Sequence, residues 1–479
     1  MSRSVVRQDW EYAREIGLPF SLMLETGREL VCVALLRCLP GRRLVCKAYI
    51  DDEPVLMKLF LDPQMEQELA ADAAGVEALM AAHVRTPALL ARDRVAGKGY
   101  PLLLFEYLAD TTSFREAWES APASRQSSML ADLLRMVAVQ HLAGLRQRDF
   151  HLRNFLLDGA GDLYAIDGGD YLVSAAPVAR TAALKNLGVL FGHLPRKVLV
   201  NEAGLLKHYL QPRQWQFEPA FVHQVFAGAN SFRRRRARII GRKAFRDCSE
   251  FKVWRKGSLH VNQRRDLDSQ LLVDWMEHSK LGLLPETDLM LKPGNSQTVW
   301  QTRLGAMDVV VKRYNIKDWR HAIRRACSRS RASRSWENAH ALRAYHIRTP
   351  EPLAIIEQRV GAIRRRAWYI TRVADGTSAS EFFSGREISE LEPDARRLAD
   401  LVLSFGENEL VHGDMKAANF MLSARAVEVI DLDSMRQDAR PGEIAEDRRR
   451  FLANWQQDAG LQQLFAELLH APAMVNDKF

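Results

Sequence analysis

Residues 409–435, ELVHGDMKAANFMLSARAVEVIDLDSM, constrain the fold of the whole chain, because most of this pattern occurs twice. A short apolar lead ends in His412-Gly413-Asp414, Asn419 follows, and a strand-like run ends in Val429-Ile430-Asp431. Earlier, residues 147–157 align without a gap on residues 412–422. They keep Asp149, Asn154, Phe155 and Leu157, and are followed by Tyr164-Ala165-Ile166-Asp167. An internal repeat of this length makes a tandem duplication the first expectation, and it governs every later assignment.

The residue types point to a chemistry. One carboxylate, an amide and a second carboxylate at this spacing suit phosphoryl transfer. Asp414 can orient a hydroxyl and take its proton, while Asn419 and Asp431, at the end of a hairpin strand, can hold Mg²⁺ against ATP phosphates. Lys416 adds a positive charge near the transferred group. A lone His-Gly-Asp would read as a turn before a β-hairpin, but here four groups are in register. The set resembles the catalytic and metal-binding loops of the protein-kinase-like superfamily.

Other landmarks recur in the same order. Residues 30–39, 44–50 and 55–60 read as three strands, with a turn at Pro40-Gly41. Lys58 stands inside the third strand. It reads either as an edge lysine facing water or as the N-lobe lysine that grips the α- and β-phosphates. A helix over about residues 63–83 ends before Arg85-Thr86-Pro87. It offers Glu77 as a partner for Lys58, with Asp72 and Glu68 as alternatives. Residues 289–292, 298–303 and 308–314 repeat the three strands and carry Lys312. His346-Ile347-Arg348-Thr349-Pro350 repeats His83-Val84-Arg85-Thr86-Pro87, and residues 374–378 repeat residues 109–113. Neither half has a Gly-x-Gly-x-x-Gly loop. Pro40-Gly41-Arg42-Arg43 and Pro293-Gly294-Asn295-Ser296 offer one glycine each.

The length of 479 residues suits two domains, expected at residues 1–248 and 249–479, the second with a short C-terminal lobe. No apolar run is long enough to span a bilayer, and charges near the N-terminus argue against a signal peptide. Cys32, Cys38, Cys46, Cys248 and Cys327 form no paired motif and read as buried or free thiols in a reducing compartment. The net charge of +9 is concentrated in arginine runs at residues 232–246 and 317–334. Such runs are often a solvated helix face. So many like charges would also suit a polyanionic surface, and charge alone does not choose among nucleic acid, acidic lipid and phosphorylated glycolipid.

Residues 312–353 are more specific. Their KRYN strand end, arginine-rich stretch, SWENAH helix and IRTPEPL turn resemble the lipopolysaccharide core kinases of Gram-negative bacteria, which phosphorylate heptose or Kdo. The Arg148-Asp149-Phe150 loop resembles the heptose-kinase version. The resemblance implies an α+β fold of two tandem bilobal kinase-like modules, each an antiparallel-sheet N-lobe and a mostly helical C-lobe. It implies ATP and Mg²⁺ as cofactors. The acceptor would be a lipid-linked core oligosaccharide, met from the cytoplasmic side at the inner face of the inner membrane through the arginine clusters. In the second module Lys312 would bind phosphates with Glu337 as helix partner, Asp414 would be the base, and Asn419 and Asp431 the metal ligands. The first module's matches are Lys58, Asp149, Asn154 and Asp167. Gln147 and His151 there replace His412 and Lys416, so the second module is expected to be the more active. Asp447 would anchor the second catalytic loop from below, where the first module has Asn186.

Two other readings stay open: a kinase for another small molecule or a protein, and a pseudokinase pair that binds or scaffolds without turnover. Nucleic acid is not expected, because no stacking aromatics are interleaved with the arginines.

Overall fold

The computed structural model describes residues 16–195, 202–278, 288–294, 297–314, 329–361 and 363–470. The chain divides into two compact units: Met1–His193 with Asn201–Ala229, and Leu194–Val200 with Asn230–Phe479.

Unit 1 begins with β1 (Phe20–Met23), β2 (Glu29–Leu39), β3 (Arg43–Ile50), β4 (Glu53–Phe60), α1 (Met65–Ala81), β5 (Leu89–Arg94) and β6 (Pro101–Glu106). The strands form one antiparallel sheet in the order β1-β2-β3-β4-β6-β5. β4 is central, and its two faces bury different things. Val55, Met57 and Leu59 join Leu44 and Cys46 in one core, whereas Leu56 and Phe60 pack with Ala73 and Val76 of α1. The two-residue period of a strand therefore carries Lys58 to the α1 face. The edge placement left open by the sequence does not occur, because β4 pairs with β3 on one side and β6 on the other.

The rest of unit 1 is mostly helical. It runs through β7 (Thr112–Ser113), α2 (Phe114–Ser120), α3 (Ala123–Leu142), β8 (Leu145–Gln147), β9 (Phe155–Leu157), β10 (Leu163–Ala165), β11 (Tyr171–Val173), α4 (Arg180–Gly192) and α5 (Glu202–Leu210). Ser113 caps α2 by accepting the Glu116 backbone N–H at 3.3 Å. The β9–β10 hairpin and the β8–β11 pair frame the loop that holds Asp149. α6 (Pro219–Lys243) starts in unit 1 and ends in unit 2.

Unit 2 continues with β12 (Phe251–Lys256), β13 (Leu259–Arg264), α7 (Ser269–His278), β14 (Leu289–Lys292), β15 (Gln297–Leu304), β16 (Met307–Tyr314), α8 (Arg331–Leu342), β17 (Pro352–Val360) and β18 (Ile363–Arg372). Its antiparallel sheet has the order β12-β13-β17-β18-β16-β15-β14. β16 repeats the logic of β4. Val309 and Val311 bury with Trp300 on one face, and Tyr314 packs with Trp336 and Ala339 of α8 on the other, which puts Lys312 on the α8 side.

There follow β19 (Thr377–Ser378), α9 (Ala379–Phe382), α10 (Ile388–Glu407), β20 (Leu410–Val411), β21 (Phe420–Leu422), β22 (Val427–Val429), β23 (Arg436–Gln437), α11 (Pro441–Ala453) and α12 (Ala459–His470). A small aromatic core closes this end. Trp455 stacks on Phe465 with ring centres 4.8 Å apart, and Phe451 meets Phe465 edge-on at 5.2 Å.

The arginine run on α6 draws on acids far away in the sequence. Arg233 is fully buried and donates to the Leu194 carbonyl at 2.8 Å, Arg234 pairs with Glu409, and Arg238 pairs with Asp438. Much of the second run, residues 315–328, lies outside the described residues, as does Cys327. The four described cysteines form no disulfide among themselves, and Cys32 and Cys46 are buried. No helix among the described residues is long and apolar enough to cross a membrane.

Candidate active site

In unit 2 the loop between β20 and β21 is held rigidly from several sides. The Asp447 carboxylate on α11 accepts the backbone N–H groups of His412 at 2.6 Å and Gly413 at 3.1 Å. The buried His412 ring spans two segments. Its Nδ1 accepts the Asp414 backbone N–H at 3.3 Å and its Nε2 meets the Ile430 carbonyl at 2.9 Å, which assigns the proton to Nε2. Asn454 brackets the next residues, accepting from the Ala417 N–H at 3.1 Å and donating to the Met415 carbonyl at 2.9 Å. Gly413, at φ 80°, turns the chain where a side chain would crowd Ser434.

Asn419 holds Asp414 and the strand that leads to Asp431. Its Nδ2 donates to the Asp414 carbonyl at 2.8 Å and to the Asp414 carboxylate at 3.3 Å, and its backbone carbonyl accepts the Ile430 N–H at 2.9 Å. Lys416 Nζ lies 3.0 Å from Asp414. Asp431 adopts the left-handed conformation at φ 61° and is bonded to Lys312. Burial disfavours the ionised Asp431 carboxyl, but the Lys312 ammonium bonded to it prevails and holds it below its ordinary range. Lys312 with Asp431 and Asn419 with Asp414 thus form two bonded pairs flanking the β21–β22 hairpin.

Residues 293–454 match the family model described as lipopolysaccharide kinase (Kdo/WaaP) family. The matched stretch lies wholly within unit 2 and contains each residue of this constellation. No curated protein matches the chain.

Inside the kinase-matched stretch one expected pairing does not form. Glu337 bonds to Arg329 instead of Lys312. It sits two residues past Ser335, which meets the Tyr314 hydroxyl at 2.9 Å, and so lies about 200° round the helix from that face. The acid near Lys312 comes from the loop after β22. Asp433 is buried, 4.0 Å from Lys312 and 2.7 Å from Arg331 of α8. α8 is tied to the same loop by Asn338, which donates to the Leu432 and Met435 carbonyls at 2.8 and 3.0 Å.

Unit 1 assembles a comparable set with a different helix contact. Lys58 Nζ is 2.9 Å from Asp72 and 3.1 Å from Asp167, whereas Glu77 pairs with Arg92. Asp72 is therefore the helix partner, not Glu77. The two acids are five residues apart on α1, about 140° round its axis, and Asp72 is on the buried side. Burial opposes the Lys58 charge, but Asp72 and Asp167 together raise its pKa. Asp72 also accepts the Gly169 N–H at 3.1 Å. α1 and this loop approach so closely that a Cβ on Gly75 would lie 2.0 Å from the Gly168 oxygen.

Asp167 is left-handed at φ 67°. Burial would raise its pKa, but Lys58 and two arginines hold it down. The Asn154 side-chain amide makes long contacts, 3.5 Å to the Asp149 carbonyl and 3.5 Å to Asp170. Burial, then Asp167 and Asp149, push the Asp170 carboxyl up. Asn186 donates to the Gln147 carbonyl at 2.9 Å, so it steadies this loop by a side-chain amide.

The donor set fits a divalent cation. Asn419 commits its Nδ2 to Asp414, so its Oδ1 is the atom that would ligate a metal beside the ionised Asp431. In unit 1 Asp167 and Asp149 raise the pKa of Asp170, and among the described residues no three or more His, Cys, Asp or Glu side chains are grouped to hold a metal ion. The sequence offers Asp72 as an alternative to Glu77, and it does not mark Asp433, Arg331 or Asn454 as site residues. For Asp72 and Asp433 the available signal was an acid on an otherwise buried face.

Proposed function

We propose that the chain is an ATP-dependent phosphotransferase that phosphorylates a heptose or Kdo sugar of the lipopolysaccharide inner core. In this reading it is built as two tandem kinase-like modules, with turnover carried mainly by unit 2. The observation that carries it is that Asn419, bonded to Asp414, and Asp431, bonded to Lys312, flank the same β21–β22 hairpin within the stretch matching the kinase family.

Asp414 would orient the acceptor hydroxyl and accept its proton as the oxygen forms its bond to the γ-phosphorus and ADP departs. The His412 and Asp447 contacts hold the backbone of the Gly413-Asp414 turn, and Asn419 and Lys416 meet the carboxylate itself. Lys312 would hold the α- and β-phosphates, and Lys416 would neutralise charge on the transferred group. Asn419 and Asp431 would hold Mg²⁺, which supplies charge neutralisation across the β- and γ-phosphates.

Unit 1 has the same residue types at Lys58, Asp149, Asn154 and Asp167. Its stretched Asn154 contacts favour weaker turnover, or binding alone. The arginines of residues 317–334 would draw the chain to an acidic membrane surface, by roughly 1 kcal/mol per basic residue near it.

Core oligosaccharide from cells with and without the chain, compared by mass spectrometry, tests the reading. Loss of one phosphate from a defined core sugar, reproduced by Asp414→Asn, is expected. An unchanged core in the absence of the chain would exclude this acceptor.

A further inference from the structure

In each unit a guanidinium stands near the aromatic ring two residues past the cleft lysine. In unit 1 it is Arg43 of β3, 6.0 Å from the Phe60 ring centre. In unit 2 it is Arg331 of α8, 5.1 Å from the Tyr314 ring centre. The sources are exchanged. By sheet register Arg43 faces Phe60 and Gln297 faces Tyr314, so the strand place that holds arginine in unit 1 holds glutamine in unit 2. Counting back from His83 and His346, both left-handed, the helix place of Arg331 holds Glu68 in unit 1. Different elements thus bring a guanidinium to the corresponding aromatic ring in each unit.

The surroundings suggest what this group is for. Arg43 Nη1 lies 4.0 Å from both Asp72 and Asp167, beyond hydrogen-bonding distance, and its buried Nε has no hydrogen-bond partner. A buried donor without an acceptor is costly, and an oxyanion in the cleft would supply the acceptor. Arg331 is held in position by Asp433 at 2.7 Å and by Gln297 Oε1 at 3.3 Å. Both clefts also lack the glycine-rich loop whose backbone N–H groups would cradle phosphates, and each hairpin turn has one glycine. A guanidinium presents several donors in a fixed fork that matches phosphate oxygens.

We propose that Arg43 and Arg331 grip the triphosphate of the bound nucleotide, each taking over part of the work of the missing glycine-rich loop. The proposal rests on the kinase reading of the two clefts. Full-length chain carrying Lys312→Met leaves unit 1 to report nucleotide binding, and Lys58→Met leaves unit 2. Calorimetry with Mg·ATP and with adenosine is then run on each background with and without Arg43→Met or Arg331→Met. ATP affinity should fall roughly ten- to a hundredfold, with adenosine affinity unchanged.

Arg43→Lys and Arg331→Lys keep the charge beside Asp72 and Asp433 and should give intermediate ATP affinities. Thermal melts without nucleotide establish that each variant is folded, and the lysine variants carry the test if a methionine variant is not. If unsubstituted chain fails to bind Mg·ATP, the kinase reading falls and the grips fall with it. Binding by unsubstituted chain, with ATP affinity unmoved by the arginine variants or lost equally for adenosine, overturns the grips alone. Absence of ATP binding in the Lys312→Met chain overturns the Arg43 assignment.

Discussion

The Asp447 carboxylate accepts two successive backbone N–H groups, from His412 at 2.6 Å and Gly413 at 3.1 Å, and so fixes the turn that presents Asp414. Asp447 is almost fully buried, so an alanine there leaves both N–H groups without an acceptor. Asp447→Ala should cost about 2–4 kcal/mol of stability. Asp447→Asn keeps one acceptor oxygen and should cost less. Chemical denaturation of unit 2, read by its tryptophans, checks the order, and equal stability in all three proteins would contradict it.

The assigned base makes a sharper demand. Asp414→Asn should lower turnover roughly 10²- to 10⁴-fold while Mg·ATP binding persists. Asp149→Asn should have the smaller effect, because the Asn154 contacts are longer than those of Asn419. Parallel core-phosphorylation assays decide this. Equal losses from the two variants would reverse the ranking of the units.

Replacing the helix acid of unit 1 separates Asp72 from Glu77. Asp72→Ala removes a buried partner of Lys58 and the acceptor of the Gly169 N–H, and should destabilise unit 1 by about 3–5 kcal/mol. Glu77→Gln breaks only an exposed pair with Arg92 and should change stability by less than about 1 kcal/mol. Melting curves of the two variants are the test. A larger effect from Glu77→Gln would restore the pairing expected from the sequence.

Acid should weaken unit 2 through His340. Its ring packs edge-on against Trp336 and Phe251, with centres at 4.2 and 4.7 Å, and neither ring nitrogen has a hydrogen-bond partner. Burial, with help from Arg343, pushes its pKa down to about 3. The folded imidazole stays neutral while the unfolded one takes up a proton below its ordinary value of about 6.5. The unfolded state then binds more protons, so stability falls with falling pH, by about 1.4 kcal/mol per unit from this group, until the folded value is reached. Urea titrations between pH 7 and pH 5 should show the slope, and His340→Leu should flatten it. The same slope in the variant would place its origin elsewhere.

Much of the fold is legible in the sequence because its signals are local. The alternation in residues 44–50 and 55–60 corresponds to β3 and β4, and Arg85-Thr86-Pro87 marks the end of α1. The Asp414, Asn419 and Asp431 arrangement is also local, since one loop and one hairpin carry all three and sequence spacing fixes their separation. What joins those elements to others was decided by the tertiary structure. Asp72 rather than Glu77 approaches Lys58 because of how α1 is rotated over its sheet, and near Lys312 the acid is Asp433 of the loop after β22 while Glu337 of α8 turns to Arg329. Likewise Arg238 meets Asp438 across 200 residues of chain. A turn or a strand pattern is set by neighbouring residues, but an ion pair between elements depends on packing angle and burial, which no local spacing encodes.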